Sequence, residues 1–191
     1  MPVTGYIAAY LCYCSRMDEA ARDLLLQFLW TRDFEDHIDT PEKLRSWLTG
    51  LDLLGPEESV TDDDVRLARR LRAATRNLCA VNGGAALDVR TNEVIDMVNA
   101  VAPLRVTVGP SGALGVAPGG TGVGRALSTL LALGYQATVD GEFPRFKTCK
   151  ACGFPFYDGS KNASRVWCDM NACGTKEKMR AYRARKALGQ K

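Results

Sequence analysis

The 191-residue chain contains a single histidine, His37, which lies in a polar run at 36–39. A histidine triad or a two-histidine zinc protease site cannot be built from one such residue. The sequence also lacks the roughly 18 consecutive apolar residues of a membrane span, and it shows no convincing pair of nucleophile and base. We therefore expect His37 to lie at the surface. We also expect a protein that has no membrane partner and is not an enzyme. An uncharacterised activity in the N-terminal part is the less favoured alternative.

The composition, 46% hydrophobic and 25% charged, is that of a globular protein, and it excludes mainly disordered and collagen-like chains. The length allows one full domain and a small module. The seven cysteines are an odd number, and the apolar segment 5–12 has neither a cationic leader nor a clear cleavage site. We expect a cytoplasmic protein. Residues 1–17 are assigned as an N-terminal extension, with a start at Met17 as the alternative.

The net charge of +3 hides a strong asymmetry along the chain. From Arg145 to Lys191, twelve Lys or Arg face three Asp or Glu, a net charge of +9. Residues 1–144 carry thirteen basic and nineteen acidic residues, a net charge of −6. A basic tail on an acidic body predicts that the tail meets a polyanion.

Residues 18–144 are predicted to form a multihelical domain. Apolar residues at helical spacing indicate helices over 18–30, after Thr40-Pro41, after Thr61 and after Thr91. The helix that begins after Thr61 carries five arginines on one face. We interpret this face as solvated and paired with acidic neighbours, with a second nucleic-acid surface as the alternative; the residues are Arg66, Arg69, Arg70, Arg72 and Arg76.

The apolar pattern changes to period two after Pro103. Alternation over 104–108 and 114–116, around a Gly-Pro-Ser-Gly turn, predicts a β-hairpin that packs on the helices. The glycine-rich stretch 119–124 then precedes a further helix. Since no P-loop lysine follows, we favour a flexible connection over a nucleotide site.

Four cysteines of the tail carry the clearest chemistry of the sequence. Cys149-x2-Cys152 and Cys168-x4-Cys173 are two chelating pairs separated by fifteen residues, the pattern of a tetrahedral zinc site. Two disulfides or unrelated core cysteines are the alternatives. The predicted ion is one structural Zn²⁺, because four protein thiolates leave no open coordination position for catalysis.

The predicted finger is a hairpin followed by a helix. Its strands are expected at 156–158 and 165–167, with the turn at 160–164 and the helix from about 171 to 188. On this helix Ala172, Thr175, Met179 and Tyr182 recur at three and four residues. We expect this apolar face to pack against the zinc hairpin near Phe156 and Trp167.

Basic residues line both flanks of the predicted C-terminal helix and suit contacts with DNA phosphates. A protein partner, or docking of the tail on the acidic body, is the alternative. The candidate DNA-binding residues are Lys161, Arg165, Lys176, Lys178, Arg180, Arg183, Arg185 and Lys186.

The run from Cys149-Lys-Ala-Cys-Gly153 through Trp167-Cys168 and Cys173-Gly174 to Arg185 resembles the CGNR zinc finger. Thr175 and Lys176 stand where that motif has Asn and Arg. Residues 26–32 and 40–48 are similar to segments of the ABATE domain, which precedes this finger in bacterial proteins regarded as stress-induced transcription regulators.

The resemblance implies a mainly α protein with a multihelical N-terminal domain and a small β-hairpin, followed by a four-cysteine zinc finger of hairpin and helix. We expect an ABATE-like domain at 18–144 and the finger at 145–191. It further implies a DNA-binding transcriptional regulator, and we expect its helical domain to bind a small-molecule effector or to form a homodimer. A zinc-dependent protein-protein interaction module and a small-molecule-binding protein remain as alternatives.

Overall fold

The computed structural model describes residues 17–109 and 111–187, and within them the chain is mainly helical, as predicted. Most of the assigned N-terminal extension and the last residues of the predicted C-terminal helix lie outside this description. The elements are α1 (Glu19–Trp30), α2 (Pro41–Gly50), α3 (Asp62–Asn82), α4 (Arg90–Val101), β1 (Arg105–Val108), β2 (Leu114–Ala117), α5 (Gly122–Val139), β3 (Phe146–Thr148), β4 (Pro155–Tyr157) and α6 (Thr175–Ala187).

Helices α1, α2 and α3 begin at the capping residues that local sequence favours. The Asp18 carboxylate accepts a hydrogen bond from the backbone N–H of Ala21, and the Thr40 hydroxyl accepts one from Lys43. Thr61 and Asp64 cap α3 reciprocally, each side chain accepting from the other's backbone N–H. Such caps satisfy amide groups that have no partner inside the helix.

A single hydrophobic core joins the helical body to the start of the C-terminal segment. Phe28 of α1, Leu71 of α3 and Leu127 of α5 are fully buried in it. Phe146 of β3 belongs to the same core and packs edge-on against the ring of Tyr157 at 5.2 Å between centroids. The first strand of the C-terminal segment is therefore anchored in the body. The domain boundary at 144/145 falls in the turn Phe143–Arg145 and stays a prediction.

The hairpin of β1 and β2 is formed as predicted, with Val106 opposite Val116 and Val108 opposite Leu114. Strand β2 contacts α5. The side chains of Val106, Val108 and Leu114 are largely exposed, so one apolar face of the hairpin is turned away from the helices.

The glycine-rich stretch between β2 and α5 makes a close turn against the end of α4. A Cβ atom at Gly119 would lie 2.3 Å from the carbonyl oxygen of Pro103, so only glycine fits there. The carboxylate of Glu58 accepts a hydrogen bond of 3.0 Å from the N–H of Gly122 at the start of α5. An anionic side chain of the protein itself thus occupies this helix N-terminus. The stretch is closely packed, unlike the flexible connection that was predicted.

Three arginines on the arginine face of α3 pair with acidic groups, as predicted, but the face is not solvated throughout, since Arg72 is buried. Arg72 is buried and makes two hydrogen bonds to Asp36, at 2.8 and 2.7 Å, while Arg69 bonds the same carboxylate at 3.0 Å. Arg66 pairs with Asp63. Burial alone would raise the pKa of Asp36, but the bonds from Arg72 lower it to about 2.

Candidate metal centre and basic helix

The first cysteine pair lies in the turn between β3 and β4. The strands are antiparallel, with Lys147 opposite Phe156. Inside the turn, the N–H of Cys149 donates to Phe154 O at 2.9 Å, and Gly153 donates back to Cys149 O at 2.8 Å with a positive φ of 71°. These bonds hold Cys149 and Cys152 on one tight loop.

The predicted strand at 156–158 matches β4 to within one residue, but the predicted strand at 165–167 and the pairing between the two were wrong. The second strand begins at Pro155 and pairs backward with 146–148, while 160–164 lies in an irregular loop. The physical reason is the buried carboxylate of Asp158. It accepts hydrogen bonds from Lys147 Nζ at 2.9 Å and from the N–H of Arg165 at 2.7 Å, which folds the following segment across the hairpin.

The loop after β4 is held in place by several further bonds. Ser160 donates its hydroxyl and its N–H to Asp158, at 2.7 and 3.1 Å. Burial would raise the pKa of Asp158, but the bonds from Ser160 and Lys147 hold it well below its usual range. The N–H of Lys150 donates to Val166 O at 3.0 Å, which brings the second cysteine pair toward the first.

The last cysteine lies on a short π-helical turn, Met170–Gly174, which leads directly into α6. Asp169 caps this turn through a 2.6 Å hydrogen bond from the N–H of Ala172. A Cβ atom at Gly174 would lie 3.1 Å from Trp167 and 2.6 Å from Met170, so the turn packs closely on its own loop. Cys173 is thereby brought beside Cys168.

The four cysteines predicted as ligands meet at one point, in a cluster that could hold one metal ion. Their Sγ atoms all lie within 4.8 Å of one another, and the Cys152–Cys168 and Cys168–Cys173 separations are both 3.7 Å. Zinc–sulfur bonds of about 2.3 Å in a tetrahedron place sulfur atoms about 3.8 Å apart. The donor set thus fits one Zn²⁺, and the sulfur separations are far longer than a disulfide bond.

The local environment of the thiols agrees with this use. Burial would raise the pKa of Cys149, but backbone N–H groups, among them those of Cys168 and Cys152, lower it to about 7. Burial and the neighbouring thiols raise the pKa of Cys168. One thiol is thus disposed to ionise first, and a cation among the four sulfurs would favour ionisation of the rest.

Among the described residues, three side chains of the body donate hydrogen bonds to the backbone of the finger, and none of them was a sequence-predicted site residue. The Trp30 indole N–H donates to Pro155 O at 2.9 Å, and its ring stacks on Phe154 with centroids 5.9 Å apart. Asn82 donates to Phe143 O and Phe146 O at 2.8 and 2.9 Å. Arg76 bonds Leu29 O, Arg32 O and, at 3.5 Å, Gly153 O.

The expected packing of α6 on the zinc hairpin is wrong. No residue of α6 is buried, and the side chains of Met179 and Tyr182 are about half exposed. The hairpin directs its buried residues toward α1 and α3, and the ring of Phe156 is covered by the guanidinium of Arg165 at 5.4 Å. No apolar surface is left there for α6.

The structure separates the predicted DNA-binding residues into two groups. Arg165 is partly buried, and its guanidinium donates to Cys168 O at 2.7 Å, so it supports the metal loop. Lys161 is exposed on that loop. The remaining predicted residues are all exposed on α6: Lys176, Lys178, Arg180, Arg183, Arg185 and Lys186.

Comparison with known protein families agrees with this architecture. The model of a family described as "Putative stress-induced transcription regulator", ABATE, matches residues 22–140, and the CGNR zinc finger model matches residues 145–186. The first match covers more than half of the chain, which therefore belongs to the ABATE family and carries a CGNR zinc finger after the helical domain. A search of curated proteins finds no match. Among the described residues, no helix is long and apolar enough to cross a membrane.

Proposed function

We propose that the protein regulates transcription by binding duplex DNA through α6. The observation that carries this proposal is the row of exposed cations on a helix that begins directly after the last zinc ligand. Among the described residues, Arg180 is the one α6 cation with an acidic partner, Glu177, at 3.5 Å and in an exposed i,i+3 pair. An exposed ion pair of this kind contributes little interaction free energy, so the positive charge of α6 is available to phosphates.

The cations of α6 have the spacing that a phosphate backbone can use. Lys176, Arg180 and Arg183 follow one another at four and three residues and so share one flank of the helix. They also border a groove of about 480 Å³ that includes Asn171 of the π-helical turn. The cations of such a flank contact DNA phosphates, and the shorter polar side chains beside them are free to contact base edges.

The test is the salt dependence of duplex binding, measured by fluorescence anisotropy with the zinc-loaded full chain. We expect the triple variant Lys176→Ala, Arg180→Ala, Arg183→Ala to lose affinity and to lower the logarithmic salt slope by roughly 0.9 for each phosphate contact removed. The matched control Arg66→Ala, Arg90→Ala, Arg105→Ala removes the same charge from exposed positions of the body. Equal losses in the two triple variants, or no binding by the zinc-loaded protein, would overturn the proposal. A selection from random duplexes at physiological salt then tests for a preferred site.

One cavity of the helical body is the candidate site for a small-molecule effector. It has a volume of about 480 Å³ and lies between α3 and α4, where Asn77 accepts hydrogen bonds from the Thr91 hydroxyl and the Asp88 N–H. Both charge signs line it, with Arg70 and Glu93 among the walls. We expect a small polar or zwitterionic ligand, and mass spectrometry of ligands copurifying with the protein, compared with a Glu93→Trp variant that fills the cavity, tests this.

A further inference from the structure

The groove beside α6 is lined by both apolar and basic side chains. Ala172, Thr175 and Met179, here called the floor, line it together with three cations, here called the rim: Lys176, Arg180 and Arg183. The floor is left exposed because the zinc hairpin does not cover it. A protein segment that fits this surface has an apolar side chain flanked by acidic ones.

The same chain presents such a segment on its own surface, at the loop that follows α1. Phe34 lies at the tip of this loop between Asp33 and Glu35, and its side chain is fully exposed. A single exposed apolar residue is unremarkable, but here the loop around it is ordered by its own bonds. The feature is therefore an aromatic side chain presented on a preformed support.

The support of Phe34 consists of bonds on both sides of the tip. Arg32 and Asp36 form an isolated antiparallel bridge. The carboxylate of Asp33 accepts from the N–H of Glu35 and lies 3.1 Å from His37 Nε2. Asp36 is fixed to the body by the buried Arg72. Since the loop is already ordered, little conformational entropy is lost when Phe34 enters a partner's surface.

We propose that the Phe34 loop of one copy of the chain docks on the α6 groove of a second copy. The Phe34 ring covers the floor at Met179, and Asp33 and Glu35 face the basic rim. Within one chain Phe34 is fully exposed, and the finger is attached to the body by Trp30 and Asn82, so the contact is supplied by another copy. A two-fold axis makes the exchange reciprocal, with two such contacts in each dimer.

This docking has a consequence for DNA binding. Lys176, Arg180 and Arg183 cannot contact phosphates while they face Asp33 and Glu35, so the dimer and DNA compete for the same cations. This consequence rests on the proposed function, whereas the dimer contact itself does not. Because part of the contact is electrostatic, we also expect the dimer to weaken as salt rises.

The first test is the dimer dissociation constant of the zinc-loaded full chain, measured by sedimentation equilibrium without DNA. We expect Phe34→Ser to raise it roughly tenfold or more, as loss of a buried aromatic anchor does. Leu114→Ser is the matched control, because Leu114 is a similarly exposed apolar residue on the β1–β2 hairpin. An unchanged dimer in Phe34→Ser, dissociation by Leu114→Ser instead, or a monomer at all concentrations would overturn the proposal.

A charge-reversal cycle tests the rim. Glu35→Arg and Arg183→Glu should each weaken the dimer, and the double variant should recover most of the loss, since the two charges then attract again. Failure of the double variant to recover would contradict the assigned contact. A dimer that obeys this cycle but binds no DNA would support the docking and overturn the DNA-binding function; a monomer that binds DNA would do the reverse.

Discussion

The indole N–H of Trp30, the last residue of α1, donates a 2.9 Å hydrogen bond to the carbonyl oxygen of Pro155, the first residue of β4. This bond joins the helical body to the hairpin that carries the first two cysteines. It lies beside the stack of Trp30 on Phe154 and near the bond from Arg76 to Gly153. We therefore expect changes in the body at this place to alter metal retention in the finger.

Replacement of Trp30 tests this link. Trp30→Phe keeps an aromatic ring over Phe154 but removes the donor, and we expect a loss of about 1 kcal/mol in the free energy of unfolding. Trp30→Ala removes the ring as well and should cost about 2 to 3 kcal/mol. Urea unfolding of the zinc-loaded protein measures both, and a chelator competition should show faster zinc loss in the alanine variant. Equal rates of zinc loss from Trp30→Ala and from the unsubstituted protein would contradict a link between Trp30 and the metal site.

Replacement of a ligand tests the four-cysteine assignment. Cys168→Ser should lower the zinc content measured by elemental analysis, because a serine hydroxyl is a poor substitute for a thiolate. We expect the far-UV circular dichroism of the helical body to persist. Cys79→Ala is the matched control, since Cys79 is a buried cysteine of α3 outside the cluster. Full zinc content in Cys168→Ser would contradict the assignment.

Replacement of Arg165 separates support of the metal loop from contact with DNA. Its guanidinium covers Phe156 and donates to Cys168 O, so Arg165→Ala should lower zinc retention and the free energy of unfolding by about 1 to 3 kcal/mol. The salt slope of DNA binding by the zinc-saturated variant should stay unchanged. Lys161→Ala, an exposed neighbour on the same loop, is the control for stability. A shallower salt slope in Arg165→Ala would show that Arg165 contacts phosphate after all.

Acid should destabilise the body through Asp36. The pKa of this carboxyl falls from 3.8 to about 2 in the folded protein, so the folded state favours the ionised form. The stabilisation, about 2 kcal/mol from the size of the shift, is fully present above about pH 4 and is lost as the pH falls toward 2. Urea unfolding at several pH values checks this by comparison with Asp36→Asn. The difference between the two proteins should shrink over that interval, and a difference that does not depend on pH would refute it.

The zinc ligands could be predicted from the sequence because chelation depends on local spacing. Two residues between Cys149 and Cys152 suffice for both thiols to reach one ion, whatever the rest of the chain does. The capping residues Thr40 and Thr61 could be predicted for the same reason, since each acts on amides two or three residues away.

The partner of β4 in the finger could not be predicted in this way. The aromatic residues near 156 and 167 suggested two strands, but Lys147 and Asp158 pair eleven residues apart and turn the chain back earlier. Whether such an ion pair forms depends on which two charged side chains the fold buries side by side. The spacing of apolar residues in the sequence does not contain that information.

What the amino-acid sequence determined by itself is the mainly helical body, the four-cysteine site and the concentration of positive charge in the tail, because each follows from local spacing or composition. The tertiary structure decided how those charges are used. Lys147 is buried against Asp158 and Arg165 is turned onto Cys168 O, whereas the cations of α6 face solvent. The reason is that burial and pairing are set by long-range packing. The apolar residues of the hairpin pack against α1 and α3 and do not cover α6. An open groove therefore remains beside the cations of α6.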